Sequence, residues 1–122
     1  MSMPRPALLI AEPEPLQALS TRKLVIETAK YNVLTAHSLE EAIEIADTSP
    51  ALAALIVLSD LYGADKLVST VKKSKPALTV ICLSPNHGGD LKAADYHLSS
   101  HEPQQLVELC RKLFGDPRNL KS

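Results

Sequence analysis

Residues 52–60 read LAALIVLSD, and they decide the fold. From Leu52 to Leu58 every position is aliphatic, so neither parity of a strand faces water. A run buried on both sides belongs in the middle of a parallel sheet that helices cover on both faces. It stops abruptly at a hydroxyl and a carboxylate, Ser59 and Asp60.

Outward from this run the chain alternates strand and helix patterns. Residues 7–11 (ALLIA) and 78–83 (LTVICL) are aliphatic runs of the same kind, and 33–36 (VLTA) and 96–98 (YHL) are shorter ones. Across residues 16–30, Leu16, Ala18, Leu19, Val25, Ile26 and Ala29 fall on one arc, with Pro15 suited to a first helical turn. Tyr31 and Asn32 turn the chain into its second strand. Ser38 and Glu41 form an S-x-x-E capping box for a helix whose inner face is Leu39, Ala42, Ile43 and Ala46; Ser49-Pro50 stops it. A third helix is expected over residues 65–74, with Leu67, Val68 and Val71 inward. Asn86-His87-Gly88-Gly89-Asp90 reads as a loop, which leaves only residues 91–94 for a fourth helix, short or missing.

The segment from Ala94 to Leu106, ADYHLSSHEPQQL, carries a fifth strand into a last helix opened by Pro103. That helix is expected over residues 103–114, with Leu106, Leu109, Cys110 and Leu113 on its apolar face and Gly115 as its cap. Strands alternating with helices, without hairpin signals, predict a doubly wound five-stranded parallel sheet. Functional groups in such sheets gather outside the carboxyl ends of the strands. This chain places Glu12 and Glu14 after strand one, Asp60 after strand three, Ser84 after strand four and Ser99 after strand five.

A chain of 122 residues is one domain with room for a real core. The hydrophobic share of 45% and charged share of 22% are ordinary for a globular protein, but only 3% is aromatic, so Ala, Leu, Ile and Val must fill the interior. With a net charge of −1 and its densest cationic run, Lys72, Lys73 and Lys75, at a helix end, no nucleic-acid partner is expected. Cys82 and Cys110 sit in apolar runs without zinc spacing and read as buried thiols. His97 and His101 straddle a strand-to-helix break and read as surface side chains rather than metal ligands. No apolar stretch approaches the ~18 residues of a membrane span and no signal segment is recognisable, so a cytoplasmic location and no membrane partner are expected.

The chain resembles the receiver domain of two-component response regulators, the CheY-like branch of the flavodoxin-like fold, across residues 7–115. LLIAEPEP (8–15) is similar to that family's first strand and acidic pair, LIVLSD (55–60) to its third strand and phospho-acceptor aspartate, and VICLS (80–84) to its fourth strand and hydroxyl residue. ADYHLSSHEPQQL is similar to its fifth strand, lysine-proline pair and last helix. The resemblance implies a receiver-like domain over 1–115, a polar tail over 116–122, and Asp60 as acceptor; a one-residue shift would place Ser59 there. It implies Glu12 and Asp60 as the remnant of a magnesium site, Ser84 as the conserved-type hydroxyl, and Tyr96 as the switch aromatic.

The chain departs from that pattern where the chemistry is done. Pro13 replaces the second acidic residue, Ser99 the lysine and Ser100 the proline. Phosphoryl transfer builds negative charge that a metal and a cation neutralise, and a charge-assisted hydrogen bond is worth about 1.5–3 kcal/mol. The resemblance therefore implies a degenerate receiver, not an enzyme, with no cofactor or at most weakly held magnesium. Its expected role is phosphorylation-independent interaction with signalling proteins, as a homodimer or a monomer. An atypical receiver that still phosphorylates Asp60 is the alternative.

Overall fold

The computed structural model describes residues 7–13, 26–85 and 93–115. Five strands, β1 (Ala7–Ala11), β2 (Asn32–Ala36), β3 (Leu52–Leu58), β4 (Thr79–Ser84) and β5 (Tyr96–Ser99), form one parallel sheet in the order β2-β1-β3-β4-β5. That is the flavodoxin-like order, with its switch point between β1 and β3. Three full helices lie among the described residues: α1 (Leu39–Thr48), α2 (Ala64–Ser74) and α3 (Pro103–Phe114). The expected first helix falls almost wholly outside the described residues, which take it up at the helical turn 26–28. Glu14, the loop 86–90, Leu91 and the tail also lie outside them. Residues 93–95 are not helical.

The sheet divides the interior in two. Leu9, Ala11, Leu55, Val57, Val80 and Cys82 project to the side where α1 and α2 contribute Ala42, Ala46, Leu67 and Val71. Leu8, Ile10, Ala54, Ile56, Ile81 and Leu83 project to the other side, against Ile26, Leu106, Val107 and Cys110. Alternate residues of each central strand thus enter opposite layers, which is why those strands are aliphatic at both parities. The β1–β3 register skips Ala53, with Ala7 paired to Leu52 and Leu8 to Ala54.

Boundaries follow local chemistry. Ser38 caps α1 as expected, its Oγ accepting the Glu41 N–H at 3.2 Å. The reciprocal arm differs from a capping box: Glu41 Oε1 accepts the N–H of His37 at 2.7 Å, one residue further back. α2 starts at Ala64, not Asp65, because Gly63 adopts φ 78° and forms the cap. α3 runs from Pro103 to Phe114 and ends at Gly115, φ 83°, as the sequence predicts. The turn into β2 is made by Lys30 at φ 75°, one residue before the Tyr31-Asn32 pair. Two of the clustered lysines serve the fold. Lys72 Nζ donates to the carbonyls of Pro76 and Leu78 and pairs with Asp95 at 3.0 Å, while Lys75 Nζ donates to Ala46 O in the last turn of α1.

Candidate functional site

The carboxyl ends of β1, β3, β4 and β5 bring Glu12, Asp60, Ser84 and Ser99 to one rim of the sheet. Glu12 continues the line of β1, its N–H donating to Ala36 O at 3.0 Å. Its side chain is 0% exposed, which sequence reasoning did not anticipate for a carboxylate in a proline-rich loop. The Glu12 carbonyl also lies 3.1 Å from His37 Nδ1 at the end of β2. Pro13 follows, half-buried and without an oxygen ligand in its side chain.

At β3 the ladder outlasts the strand by one residue. Ser59 N–H donates to Leu83 O at 2.9 Å, and Asp60 is the first residue released from the sheet. Two successive turns then close, Leu61 N–H to Leu58 O and Ala64 N–H to Leu61 O, both at 3.0 Å. Leu61 is driven into the core at 4% exposure, and Asp60 and Tyr62 are left outside, Tyr62 at 93%. Gly63 holds the second turn, with Leu39 Cδ2 only 3.2 Å from where its Cβ would stand. Of the two residues the sequence offered as acceptor, Ser59 is thus half-buried on the ladder and Asp60 exposed beyond it.

Ser84 is the last residue of β4, 8% exposed, and pairs in register with Ser99 at the end of β5. Its carbonyl accepts the N–H of Ser100 at 3.0 Å. Ser99 Oγ accepts the N–H of His101 at 3.1 Å, a local turn bond that directs the hydroxyl to its own chain. No cis peptide bond occurs among the described residues. Tyr96 opens β5 opposite Ile81 and is 37% exposed. His97 and His101 are both exposed, and Cys82 and Cys110 are both buried. Among the described residues no group of three His, Cys, Asp or Glu side chains is placed to hold a metal ion, and no helix is long and apolar enough to cross a membrane.

Solved structures that superpose on this chain include receiver domains. A response regulator receiver domain protein from Clostridium thermocellum superposes with a TM-score of 0.76 at 21% identity, covering 93% of this chain and 97% of that one. A CheY-like receiver domain protein from Methanospirillum hungatei JF-1 gives 0.77 at 18% identity, covering 93% and 98%. The response regulator TrrA from Thermotoga maritima, solved in complex with Mg2+–BeF, gives 0.71 at 24% identity, covering 88% and 98%. No family model matches the sequence, and no curated protein sequence does. The fold is therefore the CheY-like, flavodoxin-like one.

Proposed function

We propose that the chain is a receiver domain of two-component signalling that works without aspartyl phosphorylation, as an interaction module for signalling proteins in the cytoplasm. It is proposed to have no turnover of its own. The observation that carries this reading is the Ser84–Ser99 pair at the ends of β4 and β5. A receiver that accepts a phosphoryl group needs a cation opposite the acceptor, because charge builds on the transferred oxygens. Ser99 offers a neutral hydroxyl, and that hydroxyl is engaged with the N–H of His101.

The metal half of the chemistry is equally poorly supplied. Magnesium takes one or two carboxylates together with water and phosphate oxygens, in near-ideal octahedral geometry. Glu12 is wholly buried, Pro13 contributes no ligand, and Asp60 lies outside the sheet. This placement supports the reading of magnesium held weakly at most. One feature favours the alternative, a phospho-accepting receiver: Asp60 is exposed directly after β3, where a donor would reach it.

The test is a two-dimensional NMR titration of the chain with magnesium and then beryllofluoride. An unchanged spectrum from the folded protein is the expected result. Shifts centred on Asp60 and Ser84 and spreading to Tyr96 would overturn the reading and establish the phospho-accepting one.

A further inference from the structure

β3 carries an unusual feature at each end. Beyond its carboxyl end stands Tyr62, a residue 93% exposed on a loop held by buried Leu61 and left-handed Gly63. A fully exposed aromatic on a rigid support is the kind of side chain that anchors protein interfaces, since it brings large area at little entropic cost. At the amino end of β3 lies a cavity of about 230 Å3 lined by Pro50, Leu52, Ala53, Lys75, Ala77 and Leu78. Ligand pockets run from about 300 to 1,000 Å3, so this one is on the scale of a side chain rather than a metabolite. It opens where the β1–β3 register skips Ala53.

The charges at the two ends are complementary. Along the chain Tyr62 lies between Asp60 and Asp65, both exposed carboxylates, with one exposed ammonium, Lys66, after them. The cavity is bordered by Lys75, with Lys73 exposed on the same helix end, and these two ammonium groups outnumber the one exposed carboxylate nearby, Asp47 beside Ala46 in the last turn of α1. Lys75 spends one of its three N–H donors on Ala46 O, which fixes the ammonium at the cavity wall with donors to spare. A tyrosine entering there would bury its ring against Pro50 and Ala77 and offer its hydroxyl oxygen to that ammonium.

We propose that the chain associates head to tail with copies of itself, Tyr62 of one copy seated in the cavity at the amino ends of β3 and β4 of the next. Knob and hole lie at opposite ends of a seven-residue strand, about 23 Å apart. The contact is therefore heterologous: each copy leaves a free knob at one end and a free hole at the other, and growth does not stop at two. This inference does not depend on whether Asp60 is phosphorylated.

Sedimentation velocity on the wild-type chain and two variants tests it. Tyr62→Ala removes the knob, and Ala77→Glu fills the hole from an exposed turn position and opposes the incoming carboxylates. The wild type should show a weight-average mass that climbs with concentration past the dimer and falls back with added salt. Each variant alone should be monomeric. Their equimolar mixture should form a 1:1 dimer that grows no further, because one partner supplies the knob and the other the hole. A wild type that stays monomeric up to about 1 mM overturns the proposal, as does a closed dimer, self-association that survives Tyr62→Ala, or a mixture that does not pair. A monomeric wild type would leave Tyr62 to a different protein.

Discussion

Asp95 grips Val80 at both of its backbone groups. The Asp95 N–H donates to Val80 O at 2.8 Å, and Asp95 Oδ2 accepts the Val80 N–H at 2.8 Å. The carboxylate thus does what a further residue of β5 would do, and it holds Lys72 of α2 at the same time. Partial burial pushes its pKa up, but the bonds from Val80 and Lys72 outweigh that and leave it below the ordinary value of 3.8.

A carboxyl group whose pKa is lower folded than unfolded contributes stability above the unfolded value, and that stability disappears as pH falls through the folded one. Asp95→Ala should cost about 1–2 kcal/mol at pH 7, discounted for the solvent around the ion pair. Asp95→Asn keeps an acceptor for the Val80 N–H and should cost less. Urea denaturation at several pH values checks this: the gap between wild type and Asp95→Asn should narrow as pH falls below 3.8, the ordinary carboxyl value. A gap that is constant with pH would rule out a charged latch.

Gly63→Ala should destabilise by about 1–2 kcal/mol, since a Cβ at positive φ is strained. The backbone there is at φ 78°, and the added carbon would lie 3.2 Å from Leu39 Cδ2. Denaturant midpoints measure the loss, and amide exchange should show it concentrated in residues 61–64 and the first turn of α1.

Replacing Ser99 by Lys, together with Pro13 by Asp, should raise the affinity for beryllofluoride in the presence of magnesium. A charge-assisted bond of about 1.5–3 kcal/mol corresponds to roughly 10- to 100-fold in dissociation constant. Isothermal titration of the double variant and of its Asp60→Asn derivative checks this, and binding that survives the loss of Asp60 would place the anion elsewhere.

Neither cysteine should react while the protein is folded. Cys82 and Cys110 are both 0% exposed, and burial pushes the Cys110 thiol up to about 12, far from the thiolate form at neutral pH. Mass spectrometry after iodoacetamide at pH 8 should find no adduct in native protein and two after unfolding.

The central strands β1, β3 and β4 were legible because burial on two faces leaves only one kind of sequence, an aliphatic run, and β3 was bounded by it to the residue. α3 was equally plain, since proline at a helix start and glycine past its end mark backbone needs that few residues meet. The rim residues were legible as positions but not as environments. Nothing local shows that Glu12 is enclosed or that Ser99 turns to His101, because both depend on what the rest of the chain brings near. The same holds for Asp95 with Lys72 and for Lys75 at Ala46, which join segments 23 and 29 residues apart. Such pairings leave no periodic trace in a sequence.

Among the described residues the two apolar layers have no side chain in common, each core side chain belonging to one face of the sheet or the other. Because alternate residues of the same strands supply the two layers, a substitution in one layer reaches the other through any shift of that strand, and neither can be repacked in isolation. A repacking of this fold succeeds only when both layers accept the same strand positions.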